Sequence, residues 1–161
     1  MNGDNYNKTR ERAMALCSRS EHCIKNIRDK LNSWKLTSEE ENEAIIQELI
    51  DNRMINEKRY AGSYTQDKYR FNKWGKIKIR AMLKIRGINE KDIEHGLEMI
   101  DHDSYLKMIE EELNNKKRSI KAKNLFDLKG KLYRFAESRG YEKQYVYDFI
   151  NKLDSQKSNF R

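Results

Sequence analysis

No proline occurs anywhere in the 161 residues, and glycine occurs only seven times. Proline breaks helices and strands alike, while an all-β chain of this size needs many turn residues to reverse its strands. A chain with so few breakers is expected to be all-α. Nine amphipathic segments can be drawn, at about 8–19, 21–34, 38–53, 57–71, 75–86, 90–100, 104–119, 125–139 and 143–153. Local punctuation supports several of them. Ser38 stands three residues before Glu41, the spacing of a capping box. Asn89 is placed to N-cap the sixth helix, and Gly87 and Gly140 are placed to end the fifth and eighth.

A repeat runs through this layout. Ile27, Leu31 and Leu36 align with Ile79, Leu83 and Ile88, and again with Leu132, Ala136 and Tyr141. The second set is followed by Ile93 and Leu97, and the third by Val146 and Ile150 at the same distances. Ile45 and Leu49 complete the first set once four residues are allowed as an insertion. Each unit then reads helix–helix–helix. In units two and three an Arg-Gly pair (Arg86-Gly87, Arg139-Gly140) precedes the third helix. Unit one has Trp34-Lys35 there, so its turn is expected to be built differently. The expected architecture is three tandem three-helix repeats at 8–55, 56–102 and 103–154, with a tail at 155–161. Together they would make an elongated, curved array.

Charge is spread unevenly over these units. The formal net charge is +8. Residues 1–56 hold nine Lys/Arg and ten Asp/Glu, whereas residues 57–161 hold 25 and 16. The basic excess lies in the middle and C-terminal parts, and such a field concentrates polyanions. The densest stretch is KYRFNKWGKIKIRAMLKIRGI, 68–88, with eight basic residues and no acid. At 100° per residue, Lys76, Arg80 and Lys84 share one narrow helix face, and Ile79, Met82 and Leu83 share another. Like charges one turn apart repel unless an anion lies over them. Arg59, Lys68, Arg70, Lys73, Lys76, Arg80, Lys84 and Arg86 are therefore the candidate binding residues for nucleic acid or an acidic protein surface. Trp74 beside Gly75 reads as a packing anchor rather than a stacking platform. Tyr69 and Phe71, two residues apart, cannot both face inward on a straight helix.

Other chemistry finds little support. A second basic cluster (Lys116, Lys117, Arg118, Lys121, Lys123, Lys129, Lys131, Arg134) reads equally as an extended footprint or as a solubilising linker. His22, His95 and His102, with Cys17 and Cys23, lack metal-ligand spacing, and two cysteines do not make a disulfide framework. No phosphate-binding glycine loop and no nucleophile elbow occur. No cofactor is expected, and no enzymatic activity. No apolar run reaches the roughly 20 residues that span a bilayer, and Met1–Arg12 lacks a signal-peptide core, so a cytoplasmic protein is expected.

The stretch LIDNRMINEKRYAGSYTQDKYRFNKWGKIKIRAMLKIRGI, Leu49 to Ile88, resembles the RecX regulators of bacterial RecA recombinase. The family pattern there has an apolar helix end, an acidic-flanked turn, a Tyr/Phe-Ala pair and a Gly-led basic helix closing on Gly-Ile/Val. This chain supplies Tyr60-Ala61, Gly75, Ile79-Arg80, Leu83 and Gly87-Ile88. Many members carry two aspartates before the Tyr/Phe-Ala pair, where this chain has Asn56-Glu57, and Asn56 keeps an N-cap role. The resemblance implies three tandem three-helix repeats and a non-enzymatic protein that lies in the groove of the RecA–DNA filament. It implies modulation, usually inhibition, of strand exchange, ATP hydrolysis and coprotease activity. The partners it implies are the RecA filament and DNA; a monomer is expected, and the alternative is a stand-alone DNA-binding protein using the same basic face.

Overall fold

The computed structural model describes residues Gly3–Ser155, and within them nine α-helices follow one another with no strand. They are α1 (Gly3–Arg19), α2 (Ile24–Trp34), α3 (Glu39–Asp51), α4 (Glu57–Asn72), α5 (Lys76–Ile85), α6 (Glu90–Glu98), α7 (His102–Ser119), α8 (Leu125–Arg139) and α9 (Lys143–Ser155). Most bounds fall within a few residues of the sequence expectation, because the caps are local. Ser38 accepts from the Glu41 N–H, and Glu41 accepts back from the Ser38 N–H, closing the capping box. Asn56, Asn89 and Asn124 accept from the N–H groups of Arg59, Asp92 and Asp127. Helix α7 begins two residues earlier than Ser104, because Asp101 is the N-cap and accepts from the Ser104 N–H. Of the expected tail, Ser155 closes α9, and 156–161 lie outside the described residues.

The chain divides into two compact units, Met1–Tyr64 with Leu83–Gly96, and Thr65–Met82 with Leu97–Arg161. In the first, α1, α2 and α3 pack on one another around Ala13, Ile27, Leu31, Ile45, Ile46, Leu49 and Ile55. In the second, α7, α8 and α9 pack on one another, and Tyr105, Leu113, Leu132, Ala136 and Val146 are fully buried or nearly so. Helices α4 and α5 contribute residues to both units.

Every repeat position named from the sequence is buried except one. Leu36 is 46% exposed. After α5 and α8 the chain turns by the same device: Gly87 and Gly140 sit at φ 78° and 83°. Ile88 N–H and Tyr141 N–H then reach back five residues to the carbonyls of Leu83 and Ala136. The first unit was expected to depart here for want of glycine. Lys35 nevertheless takes the left-handed conformation itself, at φ 56°. A side chain in that region costs roughly 1–2 kcal/mol, which the packed core of α1–α3 has to absorb.

Candidate polyanion-binding site

Helix α5 starts where its own backbone has no partner. The first N–H groups of any helix lack intrahelical acceptors. In the second unit, the turn after α8 supplies them: Gly75 N–H donates to the Arg139 carbonyl at 2.7 Å, and Ile77 N–H to the Gly140 carbonyl at 3.1 Å. Lys76 N–H donates to the Tyr105 hydroxyl at 2.8 Å, and that hydroxyl donates to the Glu142 carboxylate. Burial, and then the Glu142 carboxylate, push the Tyr105 phenol above its ordinary range. Tyr141 donates to the Lys73 carbonyl at 2.7 Å, and Arg139 donates to the Asn72 carbonyl at 3.2 Å.

The two backbones come so close that neither glycine has room for a side chain. A Cβ on Gly75 would lie 2.2 Å from the Gly140 oxygen, and one on Gly140 would lie 2.4 Å from the Lys78 nitrogen. This joint fixes the start of the basic helix and the turn before it, where Lys73 is held at φ 57°.

On this frame the cations are distributed in three ways. Some lie on aromatic rings. The ammonium groups of Lys68 and Lys78 stand 4.8 and 4.4 Å from the Trp74 ring centroid, and that of Lys76 stands 4.9 Å from the Tyr105 ring. Lys78 also donates to the Ser138 carbonyl at 3.1 Å. In the first unit, the Arg86 guanidinium lies 4.8 Å from the Tyr64 ring. Such contacts hold a cation without cancelling its charge.

Arg59 and Lys84 pair with the chain's own carboxylates. Arg59 meets Glu21 at 2.5 Å and donates to the Arg53 carbonyl at 3.1 Å. Lys84 meets Glu90 at 3.5 Å, with both side chains more than half exposed. Arg59 is thus tied into the first unit, while the Lys84 pair is a weak surface contact that solvent screens.

Four cations, among them the ring-bound Lys76 and Lys78, stay open to anions. Among the described residues, Arg70, Lys73, Lys76 and Lys78 have no carboxylate within ion-pairing distance. Arg70 is exposed, and Lys73, Lys76, Lys78 and Arg80 are half-buried. Trp74 is half-buried, with a lysine on its ring from either side of Gly75. Of the neighbouring aromatics, Phe71 is 79% exposed, whereas Tyr69 is half-buried against Tyr105 at 6.2 Å between ring centroids.

Sequence reasoning left Lys78 out of the binding set, and it gave Tyr105, Tyr141 and Glu142 no part in the site. Lys78 could have been found from the same acid-free run. The other three act through contacts 29 to 68 residues away, for which the sequence carries no local signal.

Among the described residues, no group of three or more His, Cys, Asp or Glu is placed to hold a metal ion. No helix among them is long and apolar enough to cross a membrane. Cys23 is buried, and Cys17 packs on the core of the first unit, where burial raises the thiol pKa of both.

Comparison with known proteins gives consistent likenesses. The family model for RecX, second three-helix domain, matches residues 56–97, which span α4, α5 and nearly all of α6. Proteins named regulatory protein RecX from Clostridium botulinum strains Alaska E43 and Eklund 17B are each 31% identical to this chain, covering 99% of it and 73% of their own length. The crystal structure of RecX from Lactobacillus salivarius shares the fold with a TM-score of 0.74 at 24% identity, over 95% of this chain and 99% of that one. A second crystal structure, of a regulatory protein RecX, superposes with a TM-score of 0.82 at 23% identity, over 93% of this chain and 74% of that one.

Proposed function

The chain belongs to the RecX family of regulatory proteins, and from that membership we propose that it binds the RecA–DNA filament and inhibits RecA without being an enzyme itself. It works in the cytoplasm as a monomer. The activities it holds down are strand exchange, ATP hydrolysis and coprotease action. The observation that carries this reading is the acid-free run on α4 and α5, where Arg70, Lys73, Lys76 and Lys78 have no carboxylate pair among the described residues. A surface built this way keeps its charge for an outside anion, and contacts from tandem helical units add through effective concentration. The second repeat, 56–102, supplies the docking face, flanked by the repeats at 8–55 and 103–154.

The test is the rate of DNA-dependent ATP hydrolysis by the cognate RecA. The purified protein is expected to lower it. Reversing Lys76, Arg80 and Lys84 to glutamate is expected to abolish the effect while leaving the helical circular dichroism unchanged. Undiminished inhibition by that triple variant would overturn the assignment of the face.

The same unpaired cations favour a second reading, a protein that binds DNA by itself. Titration of labelled single-stranded DNA with and without RecA separates the two. Tight binding without RecA, with no change in ATP hydrolysis, selects the second.

A further inference from the structure

Residues 1–56 sum to almost no net charge, yet their basic side chains are not evenly matched. Helices α1 and α2 carry seven of them: Lys8, Arg10, Arg12, Arg19, Lys25, Arg28 and Lys30. Four have carboxylate partners. Lys8 meets Asp4 at 3.1 Å, Arg10 meets Glu48 at 3.7 Å, Lys25 meets Asp29 at 3.1 Å and Arg28 meets Glu43 at 2.8 Å. The remaining three, Arg12, Arg19 and Lys30, have none among the described residues. These same three line one cavity of about 230 Å³, together with Ala15, Leu16 and Trp34.

From this sorting we infer that the cleft between α1 and α2 is a binding site for a phosphate group carried by a nucleotide or a nucleic-acid strand. The acids that pair in this unit do so with other cations: Asp29 with Lys25, Glu48 with Arg10, Glu43 with Arg28 and Glu21 with Arg59. No carboxylate lines the cavity. Three cations round a common space repel one another when it holds only water, and an anion there turns repulsion into attraction.

The anion's chemistry follows from how Arg12 is held. Its guanidinium carbon lies 4.1 Å from the Trp34 ring centroid, a stacking distance. Trp34 is itself packed against the core of the first unit. A stacked guanidinium is fixed in plane, and its N–H fork matches two oxygens of a phosphate. Arg19 sits seven residues further along α1, two turns away on the same face, and Lys30 sits four residues before Trp34 on α2. Ala15 and Leu16 give the cleft an apolar part, against which a sugar or base can rest. A space of this size takes a phosphate and part of its nucleoside, not a large ligand.

The site does not depend on the basic run of α4 and α5, and its failure and that of the filament reading are told apart by where the signal arises. The chain has two tryptophans, Trp34 and Trp74. In a Trp74→Phe variant the only indole fluorescence comes from the proposed site. Three titrants are used on it: inorganic phosphate, thymidine monophosphate and oligothymidylate. Saturable quenching or a spectral shift by thymidine monophosphate, oligothymidylate or both is expected, and which of the two saturates at the lower phosphate concentration identifies the source. Adding Arg19→Gln and Lys30→Gln is expected to weaken that saturation at least about tenfold, with helix content unchanged. Fluorescence that responds to neither nucleotide titrant overturns the site, as does a response that survives the two glutamine substitutions. Saturation by inorganic phosphate as readily as by the nucleotides also overturns it, because the nucleoside would then contribute nothing.

Discussion

Three glycines of this chain, Gly75, Gly87 and Gly140, do different work. Gly87 needs its positive φ of 78° and nothing else, since a Cβ there would meet no atom within 4 Å. Gly75 is needed for closeness: its missing side chain lets the Gly140 carbonyl reach the start of α5. Gly140 needs both. Gly87→Ala is accordingly expected to cost roughly 1 kcal/mol, whereas Gly75→Ala and Gly140→Ala are expected to cost about 3 kcal/mol, the upper end for overpacked sites. Urea denaturation of the three variants ranks them directly; equal losses at all three would mean that the joint yields without strain. The sequence marked Gly87 and Gly140 as caps because caps are local. It could not mark the close approach, which pairs residues 65 positions apart.

At the level of helices the sequence was a good guide, for the same reason. Capping side chains and buried positions at helical spacing are written within a few residues of where they act. Lys35 shows the limit. A glycine was looked for and missing, yet Lys35 takes the conformation glycine would have favoured. Helix α4 shows a different dependence on its surroundings. Its Tyr60 is 6% exposed, and burial lifts the phenol pKa from 10.0 to about 12. The folded chain therefore holds this proton more tightly than the unfolded chain. The associated stability is fully present below pH 10.0 and is lost as pH rises through about 12. Tyr60→Phe is expected to blunt that alkaline loss, by up to roughly 2 kcal/mol. Tyr105 and Tyr141, also raised by burial, would still contribute. Comparing denaturation midpoints of the variant and the parent near neutral pH and near pH 11 checks this; parallel pH dependence would contradict it.

Across the whole chain, formal charge located the basic half but not its usable part. Arg59 belongs to the basic half by count and to Glu21 by contact. Arg12, Arg19 and Lys30 belong to a segment whose charges nearly cancel, yet line a cavity with no acid. Summation hides such sorting, because partners up to 38 residues apart help decide it. If phosphates dock on these cations, affinity for single-stranded DNA must fall with added salt, by about 0.7 log units per log unit of salt for each phosphate engaged. Removing Lys73 and Lys78 as glutamines is expected to flatten that slope; an unchanged slope would show that neither meets a phosphate. The joint between Gly75 and Gly140 has a bearing on how the protein is made. At about 5–20 residues per second, a ribosome needs roughly 3–13 s to add the 65 residues from one glycine to the other. During that interval the nascent basic helix lacks the carbonyls that later cover its first turn. A message cut short before Gly140 would yield a chain in which that end of the helix stays raw.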